Sequence, residues 1–172
     1  MPSFPLKHLA SPLSCHMTGL PLAIKNGGMP LESISLHQNQ AIKKEISVFN
    51  NVQNDLMAFF DKKTISITMN NLINNAIKFT PNKGIVTIFA ERNDGHININ
   101  IKDTGIGIPP QKLKSLFKIE VAQSTPGTDS EPGTGLGLIL CKEFVEKNNG
   151  NIHVTSQEGS GSCFQISLPV RN

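Results

Sequence analysis

Apolar residues recur with helical spacing in three long segments of the chain, and this period predicts three main helices. They span 31–45, 61–80 and 135–148, with a shorter helix at 111–117. Short alternating or continuous apolar runs predict strands at 46–51, 56–60, 85–91, 96–102, 151–157 and 162–168. Antiparallel-looking strands mixed with a few helices are typical of an α+β two-layer sandwich.

Turn residues separate these elements where the apolar period breaks. The dipeptide Asp94-Gly95 lies between two strand patterns and predicts a hairpin, and Asn149-Gly150 predicts a helix end. Residues 1–30 are rich in Pro, Gly and Ser without a sustained period, and we interpret them as an irregular arm or linker. Residues 31–172 then form one domain. Within it, the polar segment 118–133 has no period and predicts a long loop.

The helix over 61–80 carries an unusual polar face. Its apolar stripe predicts packing on a sheet, and three polar residues lie on another side of the helical wheel at i, i+4 and i+7, namely Asn71, Asn75 and Lys78. A solvated surface is one interpretation, although asparagine is a poor helix former. The other interpretation is a Mg²⁺–polyphosphate site, because neutral amide oxygens suit Mg²⁺ and a lysine suits phosphate.

Two glycine clusters flank the long loop. The stretch "DTGIGIP" (103–109) follows a predicted strand. Its glycines allow a ligand to approach the backbone, and the alternative interpretation is a plain turn. Asp103 could accept a hydrogen bond from an exocyclic amine such as that of adenine. The stretch "GTGLGL" (133–138) precedes a predicted amphipathic helix in which Leu136, Leu140 and Phe144 recur. Free N–H groups at such a helix start favour an anion.

Composition narrows the classes of function. Among 172 residues the net charge is only +3 and there is no Trp or Tyr, which disfavours a nucleic-acid surface. The longest uncharged run, 8–24, contains prolines and polar residues, so no membrane contact is expected. The three cysteines and five histidines show no metal-ligand spacing.

Taken in order, the stretches "NNLINNAIKFT" (70–80), "DTGIGIP", "LFKI" (116–119) and "GTGLGL" resemble the N, G1, F and G2 boxes of the catalytic ATP-binding domain of sensor histidine kinases. The resemblance covers about residues 31–170. It implies the Bergerat fold, in which a mixed sheet has helices on one face and ATP lies beneath a mobile lid. It also implies a bacterial cytoplasmic domain whose parent kinase can be attached to a membrane.

The family's functional residues carry over onto matching positions. The resemblance implies that Asn71 and Asn75 hold Mg²⁺, that Lys78 meets phosphate, and that Phe79 lies beside the nucleotide. It implies that Asp103 binds the adenine amine and that Phe117 anchors the lid. The base pocket would be shaped by Gly105, Gly107 and Ile108. The phosphates would meet the backbone of Gly133, Thr134, Gly135, Leu136 and Gly137.

The chain departs from a whole kinase at its N-terminal end. Residues 1–30 are too short and too rich in Pro and Gly for the two-helix dimerisation module that carries the acceptor histidine, so His8 and His16 are not proposed as acceptors. We expect the γ-phosphate to pass to a histidine on a separate module, with a response regulator as an indirect partner. Two alternatives remain: a non-catalytic nucleotide-binding remnant, and an ATP hydrolase or clamp of the same superfamily. The hydrolase is disfavoured because positions 64–80 contain no carboxylate to activate water.

Overall fold

The structure is a computed structural model that describes residues 21–24, 29–53, 56–118, 126–131 and 135–170. In chain order its elements are β1 (Pro21–Ile24), α1 (Met29–Lys43), β2 (Ser47–Asn50), β3 (Leu56–Phe59), α2 (Lys62–Phe79), β4 (Ile85–Asn93), β5 (His96–Asp103), α3 (Pro110–Leu113), α4 (Gly137–Lys147), β6 (Asn151–Gln157) and β7 (Gly161–Pro169).

Five of the strands form one mixed sheet in the order β2-β4-β5-β7-β6. Strand β2 runs parallel to β4, and every other pair is antiparallel. The hairpin predicted at Asp94-Gly95 is present, since Asn93 pairs with His96 across it. Strands β1 and β3 pair separately as a two-stranded sheet. The predicted α+β two-layer fold is confirmed.

Helix α2 is the central element of the helical layer. It begins at Asp61, whose side chain accepts a hydrogen bond from the backbone N–H of Thr64 at 2.8 Å, and it ends before Pro81, which cannot continue a helix. Its buried apolar stripe joins the inward isoleucines of β5 in one core. The stripe consists of Ile65, Met69, Leu72, Ile73, Ala76 and Ile77. Across the described ranges, no helix combines the length and apolar character needed to cross a bilayer.

Two features differ from the sequence prediction. The strand β1 lies inside the segment that was expected to be irregular, and α1 begins at Met29. In α4, the stripe predicted from Leu136, Leu140 and Phe144 was wrong: Leu136 is 50% exposed and Leu140 is 42% exposed. The helix instead packs through Cys141 and Val145, both buried, because α4 contacts α2 and β6 with the neighbouring face.

Candidate functional site

The polar face of α2 presents amide oxygens away from the core. The Nδ2 group of Asn71 donates a hydrogen bond to the carbonyl of Ile67 at 3.0 Å, which turns Oδ1 of the same amide away from the helix backbone. Asn75 lies one turn further along and is half-buried. Lys78 is buried along its stem, and its ammonium lies 4.9 Å from the centroid of the Phe79 ring, a cation–π contact.

The start of α4 lies directly against this face. A Cβ atom built on Gly137 would lie 2.9 Å from Oδ1 of Asn71, which is closer than real Cβ contacts allow. Glycine therefore permits the first turn of α4 and the Asn71 amide to approach each other. Gly135, two residues earlier, has a φ of 73°, in the left-handed region that favours glycine. The structure thus brings the polar face of α2 to Gly137, in the described part of the second glycine cluster.

Asp103 ends β5 in a buried position. Its Oδ1 atom accepts hydrogen bonds from the backbone N–H groups of Gly105 at 2.8 Å and Ser162 at 3.1 Å. Burial raises the pKa of the Asp103 carboxyl to about 6, although these two hydrogen bonds act in the opposite direction. Because both described bonds fall on Oδ1, the other oxygen remains available as an acceptor for a ligand amine.

The loop after Asp103 is held by hydrogen bonds to β6 and to the turn after it. The N–H of Ile108 donates to Oγ of Ser156 at 2.8 Å, and the carbonyl of Ile106 accepts from Gly159 at 2.8 Å. Gly107 has a φ of 69°, and a Cβ there would overlap the carbonyl of Gln157. Ser156 and Ser162 were not predicted to support Asp103 and this loop, since a serine in an alternating strand gives no sign of its tertiary partner.

The C-terminal turn of α2 connects these parts. The carbonyl of Phe79 accepts a hydrogen bond from the N–H of Ile106 at 3.1 Å, which ties α2 to the loop after Asp103. The carbonyl of Lys78 accepts one from the N–H of Thr128 at 3.1 Å. Thr128 belongs to a compact segment that we call the 126–131 turn, closed by a hydrogen bond from the N–H of Gly127 to the carbonyl of Glu131 at 3.0 Å.

Two of the four remaining predicted residues, Phe117 and Leu136, lie within the described part of the chain. Phe117 is half-buried and packs against the core, and Leu136 is largely exposed before α4. Gly133 and Thr134 lie outside the described residues, as do 119–125 of the predicted lid. The sequence pattern predicts a single loop over 118–133. In the structure, the 126–131 turn has its own internal hydrogen bonds and is bonded to the last turn of α2.

The donor chemistry of the α2 face fits a hard cation bound together with phosphate. No group of three His, Cys, Asp or Glu side chains comes together in the described part of the chain, so a site built wholly from such ligands is not present there. The amide oxygens of Asn71 and Asn75 would give a cation only two protein ligands. Mg²⁺ commonly accepts such a set because it keeps waters and binds phosphate oxygens.

Comparison with known proteins gives a consistent result. A family model described as histidine kinase-, DNA gyrase B-, and HSP90-like ATPase matches residues 60–172. The chain is 35% identical over 167 residues to the adaptive-response sensory kinase SasA of Synechocystis, covering 95% of this chain and 42% of that protein. It is 31% identical over 139 residues to the sensor-like histidine kinase SenX3 of Mycobacterium tuberculosis, covering 81% of this chain and 34% of that protein. The chain thus spans less than half the length of these curated relatives.

Solved structures share the fold. The nucleotide-free catalytic domain of histidine kinase ThkA superposes with a TM-score of 0.73 at 24% identity, over 87% of this chain and 95% of that one. Full-length ShkA in complex with AMPPNP superposes with a TM-score of 0.73 at 26% identity, over 89% of this chain and 31% of that one.

Proposed function

Because this chain belongs to the histidine kinase-, DNA gyrase B-, and HSP90-like ATPase family, we propose that it is the ATP-binding catalytic domain of a bacterial sensor histidine kinase. In this proposal it binds Mg-ATP and presents the γ-phosphate to a histidine on a separate dimerisation module. The response regulator then receives phosphate from that module, in the cytoplasm. The relatives named above, which are sensor kinases, support this choice within the family.

One observation carries the proposal: α2 contacts both the start of α4 and the loop after Asp103, and its own polar face lies between them. Asn71 touches the start of α4 through Gly137, and the last turn of α2 holds the loop that follows Asp103 through Phe79. A ligand lying along α2 would therefore meet an amine acceptor at one end and backbone N–H groups with amide oxygens at the other. Adenine and a polyphosphate match these two ends.

Each residue has a distinct role in this proposal. Asp103 would accept a hydrogen bond from the adenine amine, and Lys78 would meet a phosphate oxygen. Asn71 and Asn75 would hold Mg²⁺, which neutralises charge on the phosphates when bound. The chain would contribute positioning and charge stabilisation, which dominate catalysis of phosphoryl transfer, while the nucleophile comes from the partner.

Phosphotransfer in trans tests this function. The purified chain, Mg²⁺ and γ-labelled ATP are mixed with a dimerisation module from a related sensor kinase, and acid-labile, base-stable label is expected on the module's histidine. The chain alone is expected to remain unlabelled. Label on His8 or His16 would contradict the proposal. A chain that binds AMPPNP but labels no acceptor module would be a regulatory nucleotide-binding domain.

Steady hydrolysis of ATP without an acceptor is the signature of the other candidate function. Helix α2 contains no Asp or Glu between Lys62 and Phe79, so it offers no general base to activate water on this face. We therefore expect slow hydrolysis by the chain alone. Rapid phosphate release that requires no acceptor module would favour a hydrolase over a kinase.

Changing Gly137 to alanine should weaken nucleotide binding while leaving the fold stable. The new Cβ would displace Oδ1 of Asn71, and the end of a side chain can move at little cost. Alanine also forms helix better than glycine. We expect AMPPNP affinity in the presence of Mg²⁺ to fall about fivefold, about 1 kcal/mol, with an unchanged thermal midpoint. Leu140→Ala, an exposed change in the same helix, is the control; equal affinities for both variants would count against the Asn71 contact.

A further inference from the structure

A buried charged group with four hydrogen-bond partners lies outside the predicted site: Lys44, which directly follows α1. Its side chain is buried, with 1% of the residue exposed. The ammonium donates to the carbonyls of Ile77 at 3.0 Å and Lys78 at 2.9 Å. It also lies 2.6 Å from Oγ1 of Thr128 and 3.0 Å from Oε1 of Glu131. These four oxygens share the three protons of one ammonium.

This cation joins two elements that are far apart in the sequence. The carbonyls belong to the last turn of α2, where helix carbonyls lack intrahelical partners and the helix dipole favours positive charge. The hydroxyl and the carboxylate belong to the 126–131 turn. We name the set of Lys44, Thr128 and Glu131 the latch.

The latch supplies much of what holds the 126–131 turn. A cavity of about 420 Å³ lies between α1 and this turn, and its lining includes the polar side chains His37, Gln40 and Lys43. Leu36 is the one apolar residue of this lining, so α1 offers the turn little apolar surface there. The Glu131 carboxylate also accepts hydrogen bonds from the N–H of Asp129 at 2.9 Å and from Nε2 of Gln40 at 3.3 Å.

The seat of the turn lies directly beside the proposed nucleotide site. A Cβ on Gly127 would lie 2.6 Å from Cγ of Lys78, so the turn rests on the stem of that lysine. The turn also comes shortly before Gly135 and Gly137 in the chain. The 126–131 turn therefore lies against the lysine predicted to meet phosphate, and in the sequence it precedes the glycines predicted to bind phosphates.

We propose that Lys44 and Glu131 are positioning residues for nucleotide binding, which act by holding the 126–131 turn and the end of α2 as one unit. This inference rests on the proposed function. With the latch closed, the 126–131 turn and the end of α2 are already held together before nucleotide binds, so less conformational freedom is lost on binding and affinity rises accordingly. The carboxylate suits this role at physiological pH. Burial opposes its ionisation, but accepted hydrogen bonds and the Lys44 charge lower the pKa of Glu131 to about 2.

Glu131→Gln is the principal test, because 19% of the Glu131 side chain is exposed and its loss leaves Lys44 bonded to the α2 carbonyls. We expect AMPPNP affinity with Mg²⁺ to fall about fivefold by calorimetry. With an acceptor module in trans, KM for ATP should rise by a similar factor at unchanged kcat. Without nucleotide, the Thr128 amide hydrogen should exchange faster in Glu131→Gln than in the unaltered protein.

Lys44→Met and the double variant Lys44→Met/Glu131→Gln complete a double-mutant cycle with Glu131→Gln. If the two residues act as one latch, the double variant should bind AMPPNP no more weakly than Lys44→Met alone. Should Lys44→Met fail to fold, Thr128→Val combined with Glu131→Gln provides the cycle instead. Lys43→Met is the matched control, since Lys43 is exposed at the last position of α1, next to Lys44 in the chain, and this variant should bind AMPPNP as tightly as the unaltered protein.

The outcomes separate this inference from the proposed function. If the unaltered chain does not bind AMPPNP, the proposed function fails. If it binds and Glu131→Gln binds equally well, only the latch is overturned. Tighter binding by Glu131→Gln would also overturn it, because the closed latch would then oppose nucleotide. A lower thermal midpoint with unchanged affinity, KM and Thr128 exchange would show a purely structural ion pair.

Discussion

Replacing Asn75 by alanine is expected to weaken Mg²⁺-dependent nucleotide binding at least tenfold, about 1.4 kcal/mol of binding free energy. The change removes one of the few protein oxygens available to a hard cation on α2. The fold should persist, because Asn75 lies off the buried stripe and alanine favours helix more than asparagine does. Calorimetry with AMPPNP and Mg²⁺ measures the effect.

The neighbouring residue provides a matched control for this change. Asn74→Ala makes the same chemical replacement one position earlier, about 100° around the helix from Asn75, and should weaken AMPPNP binding less than Asn75→Ala does. Repeating both titrations in EDTA separates a metal ligand from a direct nucleotide contact. If Asn75→Ala lowers affinity equally with and without Mg²⁺, the residue contacts the nucleotide itself. Unchanged affinity in Mg²⁺ would remove Asn75 from the site.

Local patterns predicted those elements whose apolar residues allow a single arrangement. The β4–β5 hairpin follows from strict alternation on β5 and the turn residues Asp94-Gly95, and the stripe of α2 allows only one buried face. Helix α4 is different, because its sequence "GLILCKEFV" has apolar residues on several faces. Its period fits more than one stripe, and packing against α2 and β6 decides which is buried.

The motifs of the candidate site could be predicted from the sequence, but the residues that hold those motifs in place could not. Asn71, Asn75 and Asp103 stand out because their side chains are costly choices at those positions in a helix or at a strand end. The latch left no such signal. Lys44 and Glu131 are 87 positions apart, and each looks like an ordinary surface charge in its own segment. Only the tertiary fold brings the two charges to one helix end.

Asp103→Ala is expected to remove most of a preference for ATP over GTP. The buried carboxylate can accept a hydrogen bond from the adenine amine, whereas the guanine carbonyl would place two acceptors against each other. A site that leaves such groups unpaired rejects the wrong ligand strongly. We expect the ratio of ATP to GTP affinity to fall at least tenfold, about 1.4 kcal/mol. Equal affinities for ATP and GTP in the unaltered protein would exclude this role.

The titration of Asp103 gives an independent test, because it should change the free energy of unfolding and the nucleotide affinity in opposite directions. Its pKa is raised from 3.8 to about 6 in the folded protein, so between these values the folded state binds more protons than the unfolded state. Its contribution to the free energy of unfolding is therefore fully present below pH 3.8 and is lost as pH rises through 6. Nucleotide binding should change in the opposite direction, because the ionised carboxylate accepts the amine hydrogen bond more strongly.

We therefore expect ADP affinity to increase as pH rises through about 6 and then to level off, while the free energy of unfolding without ligand loses the Asp103 contribution over the same range. Asp103→Asn is the control for both measurements. It cannot titrate, so subtracting its profile removes the titration of the ADP phosphates and of all other groups. If the profiles of Asp103→Asn and the unaltered protein run parallel in both experiments, Asp103 neither titrates near pH 6 nor contacts the base as an anion.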